Sequence, residues 1–237
     1  MAKFIDPFCT KCEARKDSCF YMLQNGDLDF LNSNKVSTFY KKGQTIFYAG
    51  RTPTGIYCLL NGKIKLSKLG FDGKEQIVRF VLPGQLLGIR ALIAKRSYTA
   101  FATTLEDSTV CFIDKESFFK ITNKYPAITG CLLSTLSQLL QEAEDKMTSM
   151  AQKHVRERLA ENLLFLNNIY KPVDIKNSVE TTASIILPRE DLANIVGTAT
   201  ETVIRLLSDF KNEKLISIEG RKIILKDIAG LHKIARL

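Results

Sequence analysis

The sequence predicts an α+β protein with an N-terminal antiparallel β-roll, a long helix and a C-terminal winged helix-turn-helix. Three observations predict this architecture: frequent turn signals between residues 36 and 114, an apolar heptad stripe after Pro126, and a helix-turn-helix-hairpin order at the end of the chain. The predicted parts are a cysteine-containing segment at 1–25, the β-roll at 26–125, a dimerisation helix at 126–151 and the winged helix-turn-helix at 152–237.

The β-roll is predicted from short runs of β-branched and aromatic residues that begin at Val36 and end near Asp114. Turn-forming residues interrupt these runs every several positions. Short strands joined by tight turns are typical of a small antiparallel barrel or sandwich. The turn signals are Lys42-Gly43, Ala49-Gly50, Asn61-Gly62, Asp72-Gly73 and Pro83-Gly84.

An apolar stripe follows Pro126, where apolar side chains recur at alternating steps of three and four. The stripe consists of Leu133, Leu136, Leu140, Ala143, Met147 and Met150. This spacing is that of the a and d positions of a heptad. A helix packed only on its own domain would also be apolar on one side, but the narrow stripe favours a two-stranded coiled coil. We therefore expect a homodimer.

The remaining residues alternate between helical and extended patterns. A second helix is predicted over 152–170, followed by a polar loop with Pro172 and Asn177-Ser178, a strand at 182–187, helices at 189–196 and 199–212, and a hairpin at 215–225 that turns at Glu219-Gly220. A turn between two helices followed by a hairpin defines a winged helix-turn-helix.

The turn between these two helices contains Gly197, at a position that requires a positive φ. Four apolar residues form the predicted wedge between the helices: Leu192, Val196, Val203 and Leu207. The second helix presents five residues near its N-terminal end, the part that enters a major groove in such motifs. They are Thr200, Glu201, Thr202, Ile204 and Arg205.

Glu201 and Arg205 are four residues apart and share a helix face. The carboxylate can accept a hydrogen bond from cytosine N4, and the guanidinium can donate to guanine O6 and N7 as a fork. A solvated salt bridge is the alternative for such a pair. The turn before it and the hairpin after it favour the DNA-reading interpretation.

The segments LPREDLANIVGTATETVIRLL from Leu187 and LISIEGRK from Leu215 resemble the CRP/FNR family of transcription regulators. The resemblance extends over nearly the whole chain, because Gly43, Gly50, Gly62 and Pro83-Gly84 fall where the β-roll of that family turns. It implies a cyclic-nucleotide-binding-like β-roll and a homodimer that binds double-stranded DNA at an inverted-repeat operator. It also implies RNA polymerase as a partner.

The resemblance further implies which residues contact DNA. The base-reading residues are Glu201, Arg205, Thr200 and Ile204, and the phosphate contacts are Arg189, Thr202 and Arg221. Thr200 and Ile204 differ from the residues of the two best-known family members. We therefore expect the operator to share its guanine-containing core with theirs but not its outer bases.

Three cysteines, Cys9, Cys12 and Cys19, lie close together near the N-terminus, and such a run can hold a soft metal ion. Cys111 is the predicted fourth ligand, because its strand resembles the one that carries the remote cluster cysteine in oxygen-sensing members of the family. The resemblance implies a [4Fe-4S] cluster, although the spacing from Cys12 to Cys19 is one residue longer than theirs. A structural zinc ion, a thiol redox switch and a motif without a ligand are the alternatives. The cysteines expected in the core are Cys58 and Cys131.

A cyclic nucleotide is not expected as the ligand. Ile89 aligns with the ribose-binding glutamate of the nucleotide-binding members, and Tyr98 falls near their phosphate-binding arginine. An apolar side chain cannot bind a ribose hydroxyl, and a phenol cannot neutralise a buried phosphate.

The formal net charge of +9 favours an acidic partner, with nucleic acid first. An enzyme is disfavoured, because the chain has only two histidines and no Walker loop, G-x-S-x-G or H-E-x-x-H motif. No stretch approaches the roughly 18 apolar residues of a membrane span. We therefore expect a cytoplasmic protein, whose six cysteines are thiols or metal ligands rather than a disulfide framework.

Overall fold

The computed structural model describes residues 7–171 and 183–237. The chain divides into two compact units, Met1–Glu142 and Ala143–Leu237, each with buried apolar side chains of its own. The predicted loop with Pro172 and Asn177-Ser178, and Thr182 at the start of a predicted strand, lie outside the described residues. Among the described helices, none combines the length and the apolar character that crossing a membrane requires.

The first unit contains the predicted antiparallel β-roll, and the predicted α+β class is confirmed. One sheet has the strand order β1-β8-β3-β6 and the other has the order β2-β7-β4-β5. The strands are β1 (Lys35–Tyr40), β2 (Thr45–Phe47), β3 (Gly55–Asn61), β4 (Ile64–Leu69), β5 (Glu75–Val81), β6 (Leu86–Leu87), β7 (Phe101–Thr104) and β8 (Ser108–Asp114).

The core of the roll receives side chains from both sheets. Burial alternates along β7, where Ala102 and Thr104 are buried while Phe101 and Thr103 are partly exposed, as expected for a strand with one face in the core. The buried cluster consists of Phe47, Leu59, Ile64, Val81, Leu87, Tyr98, Ala102 and Val110.

Helices cover one side of this unit: α1 (Asn25–Asn34), α2 (Ile89–Ile93), α3 (Lys115–Lys124) and α4 (Pro126–Gln152). Only α4 is predicted from the sequence. The side chain of Asp114 caps α3 by accepting hydrogen bonds of 2.9 Å from the backbone N–H groups of Glu116 and Ser117. These hydrogen bonds, first of all those from Ser117, lower the pKa of Asp114. A second buried cluster joins α1, α3 and α4 through Leu28, Leu31, Phe118, Ile121, Ile128 and Leu132.

Residues 7–24, here called the N-terminal segment, form two short 3-10 turns, Cys9–Lys11 and Glu13–Asp17. The second turn packs on β3 and on the turn at Gly84. Gly84 has a φ of 86°, and a Cβ atom there would lie 2.5 Å from the carbonyl oxygen of Ala14. A side chain at residue 84 would therefore push the N-terminal segment off the roll.

The second unit follows the predicted winged helix-turn-helix order. Its elements are α5 (Val155–Tyr170), β9 (Ser184–Ile186), α6 (Arg189–Val196), α7 (Thr200–Asn212), β10 (Ile216–Glu219), β11 (Lys222–Leu225) and α8 (Ile228–Ala235). The strands form one antiparallel sheet in the order β10-β11-β9. The unpredicted helix α8 packs on α5, and Arg236 after it pairs with Glu157 at 2.9 Å.

Candidate nucleic-acid interface and cysteine cluster

The turn between α6 and α7 has the conformation that its sequence predicts. Gly197 has φ 73° and ψ 53°, in the left-handed region that glycine occupies without steric cost. Its N–H donates to the carbonyl oxygen of Ala193 at 2.9 Å and closes α6. The predicted wedge is fully buried: Leu192, Val196, Val203 and Leu207 are at most 1% exposed. The apolar contacts of this wedge fix the angle between the two helices.

The N-terminal turns of α7 carry the four predicted base-reading residues. Thr200 is partly buried, whereas Glu201, Ile204 and Arg205 are exposed, and Ile204 exposes 52% of its surface. In residues 7–171 and 183–237, no ion pair joins Glu201 to Arg205. Both charged groups are therefore open to an external ligand, at the positive end of the helix dipole.

The predicted phosphate contacts lie on three elements. Arg189 begins α6, and its partial burial lowers the pKa of the guanidinium. Thr202 is partly buried on α7. Arg221 is exposed in the turn between β10 and β11, the predicted wing.

Arg158 on α5 holds the helix-turn-helix turn in place, and sequence reasoning missed it. Its Nε donates to the carbonyl of Val196 at 3.0 Å, and one terminal nitrogen donates to that of Gly197 at 3.4 Å. The other terminal nitrogen donates to Lys153 at 2.8 Å and to Met150 at 3.5 Å. One guanidinium thus joins the turn before α7 to the end of α4. A basic residue in a helix pattern carries no sequence signal for such a role.

The predicted dimer seam lies on α4, where its residues differ in exposure. Leu133, Leu140 and Met147 recur every seven residues and expose 66%, 61% and 67% of their surface. Ala143 is also exposed, whereas Met150 is partly buried, and Leu136 is partly buried against the core of its own unit. Large apolar side chains exposed along one helix face are typical of a surface that a partner covers.

The cysteines of the predicted metal site do not meet at one point. Cys9 and Cys12 lie at the first 3-10 turn and Cys111 lies on β8, but Cys19 is bonded to Cys131 of α4 in a disulfide. Over the described ranges, no three His, Cys, Asp or Glu side chains are grouped as ligands of one metal ion. A [4Fe-4S] site on the predicted four residues therefore does not fit this arrangement, because the sulfur of Cys19 is already bonded.

Cys58, which the sequence predicts to be a core residue, lies close to three other cysteines. It is directly opposite Cys111 in the antiparallel pairing of β3 with β8. Burial raises the pKa of the Cys58 thiol, and the neighbouring thiols of Cys111, Cys12 and Cys9 raise it further. The hydroxyl of Ser37 on β1 lies 3.4 Å from the sulfur of Cys111. Strand register, which the sequence did not reveal, brings Cys58 and Cys111 together.

The positions that would bind a cyclic nucleotide are packed with apolar side chains. Ile89 is 7% exposed. Tyr98 stacks on Phe47 with ring centroids 4.0 Å apart, and burial raises the pKa of its phenol. Both side chains are therefore part of the apolar packing of the first unit.

Two families match separate parts of the chain: the cyclic nucleotide-binding domain over residues 37–125 and the Crp-like helix-turn-helix domain over residues 157–234. The chain is 29% identical to the anaerobic regulatory protein of Haemophilus influenzae, over 94% of this chain and 86% of that protein. It is 28% identical to the fumarate and nitrate reduction regulatory protein of Escherichia coli K12, over 96% of this chain and 90% of that protein. The solved structure of FixK2 from Bradyrhizobium japonicum matches with a TM-score of 0.73 and 25% identity, over 84% of this chain and 96% of that one.

These matches, with the roll and the exposed face of α7, define a DNA-binding transcription regulator. The chain belongs to the CRP/FNR family, as its sequence predicts. Regulators of this family bind DNA and act as dimers.

Proposed function

We propose that the protein is a homodimer that binds an inverted-repeat operator through α7 and changes its DNA affinity with redox conditions. The observation that carries the DNA part is the exposed N-terminal face of α7 beside the buried wedge. A rigid helix whose charged residues are not paired with each other is suited to bind base edges.

In the proposed complex the two α7 helices of a dimer enter successive major grooves, roughly 34 Å apart. Arg205 donates to guanine and Glu201 accepts from cytosine, while Thr200 and Ile204 contact the outer bases. Arg189, Thr202 and Arg221 donate to phosphates and set the orientation of the protein. A regulator bound to DNA in the cytoplasm would act on transcription through RNA polymerase.

The redox part rests on the cysteines of the first unit and on the names of two relatives, an anaerobic regulatory protein and a fumarate and nitrate reduction regulatory protein. A [4Fe-4S] cluster sensitive to oxygen or nitric oxide would need Cys19 released from Cys131 to join Cys9, Cys12 and Cys111. The disulfide favours a second candidate, a family regulator whose cysteines respond to oxidants without a metal.

Anaerobic purification followed by selection of bound DNA from a random pool tests this proposal. We expect an inverted repeat to be selected and its affinity to fall after exposure to air. Iron and acid-labile sulfide assays on the same sample separate the two candidates, because only the cluster form contains both in stoichiometric amounts. A selected pool without an inverted repeat would contradict the operator, and unchanged affinity in air would contradict the redox response.

A further inference from the structure

We infer that Cys19 and Cys131 are a redox-active pair, whose disulfide ties the N-terminal segment to α4 and withdraws Cys19 from metal binding. This inference rests on the proposed redox regulation and identifies the bond that changes. Cys131 is outside the predicted ligand set, yet it is bonded to Cys19, which is one of the four predicted ligands.

The two residues are 112 positions apart in sequence, and their Cα atoms are 5.7 Å apart. This Cα separation lies in the range that a disulfide can bridge without backbone movement. Cys19 is 7% exposed, and Cys131 packs against the same buried cluster. The pair is therefore at an internal contact between two elements of one unit.

Packing next to Cys19 holds its backbone there whether or not the bond exists. The N–H of Ser18 donates to the carbonyl of Arg15 at 3.0 Å, and the N–H of Phe20 donates to the hydroxyl of Ser18 at 3.1 Å. Phe20 and Leu23 are 4% and 5% exposed, in the cluster that includes Ile128 and Leu132 of α4. The reduced thiols thus remain neighbours, which favours closure of the bond on oxidation.

The surroundings of the pair are polar on one side. The hydroxyl of Thr135, one turn after Cys131 on α4, lies 3.8 Å from the sulfur of Cys19 and donates to the carbonyl of Cys131 at 2.9 Å. This contact fixes Cys19 on the helix face formed by residues 128, 131, 132 and 135. Cys9, Cys12, Cys58 and Cys111 take no part in this disulfide, and burial together with the thiols of Cys111, Cys12 and Cys9 raises the pKa of Cys58.

The bond acts on α4 from the side away from Leu133, Leu140 and Met147, the large exposed residues of the predicted seam. Successive residues of an α-helix are about 100° apart, so Cys131 and Leu133 point in directions that differ by about 200°. Leu133 is 66% exposed, whereas Leu132 is 5% exposed. A covalent link at Cys131 therefore restrains the first turns of α4 without covering the face expected to contact a partner.

Oxidation of the pair is a balanced exchange with a small-molecule disulfide. The two thiols lose two protons and two electrons as the sulfur–sulfur bond forms. The small disulfide accepts them, its own sulfur–sulfur bond breaks, and it leaves as two thiols. A small-molecule dithiol reverses the reaction.

The test compares the wild-type protein with Cys131→Ser, and Cys58→Ala serves as a matched control outside the pair. Each protein is reduced anaerobically, then treated with oxidised glutathione, and peptide mass spectrometry reports the bonds formed. We expect the Cys19–Cys131 peptide in the wild type and in Cys58→Ala, and a loss of operator affinity of about tenfold or more in both. Cys131→Ser should keep its affinity, and a dithiol should restore affinity to the other two.

Two results would overturn the inference: oxidised wild-type protein in which Cys19 is free or paired elsewhere, or an equal loss of affinity in wild type and Cys131→Ser. A failure of the proposed function looks different, because reduced wild-type protein would then not bind the operator at all. Circular dichroism of each reduced variant verifies that the substitution leaves the fold intact.

Discussion

At the scale of the residue, Arg205 and Arg221 are expected to make different contacts with DNA, one to bases and one to the backbone. Arg205→Ala should cost about 1 to 3 kcal/mol on the selected operator and relax the preference at one base pair. Arg221→Ala should weaken all sequences alike and reduce the slope of log affinity against log salt by about 1. Fluorescence anisotropy on operator and random DNA over a salt series measures both effects. Equal losses on the two DNAs for Arg205→Ala would contradict base reading.

Asp27 gives a pH-dependent prediction. Its carboxylate accepts hydrogen bonds from Lys124 at 2.7 Å and from the hydroxyl of Tyr125, and these bonds lower the pKa of Asp27. A folded-state pKa below the unfolded value, about 3.9, stabilises the protein above that pH, and the stability is lost as the pH falls through the folded pKa. Asp27→Asn should therefore lower the melting temperature at pH 7, and the difference from wild type should shrink below about pH 4.

Differential scanning calorimetry from pH 7 to pH 3 measures this difference. Asp29→Asn is the control, because Asp29 is an exposed carboxylate two residues further along the same helix. If both variants shift the melting temperature equally at pH 7, the hydrogen bonds from Lys124 and Tyr125 do not stabilise α1.

At the scale of the element, the elements with long or specific patterns were predictable and the short ones were not. The heptad spacing predicts α4, and the turn glycine predicts the end of α6 at Val196. The helices α1, α3 and α8 are eight to ten residues long, and at this length stability comes from packing rather than from propensity. Each of these helices packs against elements that are distant in sequence, so no local sequence pattern predicts it.

Arg158 donates hydrogen bonds to the turn before α7, and these bonds should stabilise the helix-turn-helix. Arg158→Ala should destabilise the second unit by about 2 kcal/mol, because its removal takes a charged donor away from the partly buried carbonyls of Val196 and Lys153. Arg156→Ala, two residues earlier, removes a surface pair with Glu213 and a ring contact with Phe210, and should cost less than about 1 kcal/mol. Urea unfolding followed by operator titration of both variants measures the contrast. Equal losses of stability would show that the bridge to the turn adds nothing.

At the scale of the whole molecule, the cysteines show why a site cannot be read from spacing alone. The compact run predicts that Cys9, Cys12 and Cys19 act together, but packing of the N-terminal segment places Cys19 against α4. Strand register places Cys58 opposite Cys111. Both facts depend on contacts between residues more than fifty positions apart. The predicted DNA contacts need less long-range information, because α7 carries most of them in one short helix.

The expected homodimer depends on the apolar stripe of α4. Leu140 exposes 61% of its surface at the centre of the stripe on α4, and a dimer would bury it against its counterpart. Leu140→Glu would place two like charges in that interface, and an unpaired buried charge costs about 3 to 5 kcal/mol. We expect this variant to be monomeric and to bind the operator far more weakly, because a single protomer occupies only one half-site.

Gln141→Glu is the matched control for Leu140→Glu, since it adds the same charge at the next residue, which is exposed and outside the stripe. Sedimentation equilibrium at several protein concentrations should find a dimer for this control and for wild type. Melting curves should show that both variants fold. A folded Leu140→Glu protein that remains as dimeric as Gln141→Glu would mean that another surface holds the protomers together. In that case the exposed stripe of Leu133, Leu140 and Met147 would need a different partner, because apolar side chains in a row of this length are costly to leave in water.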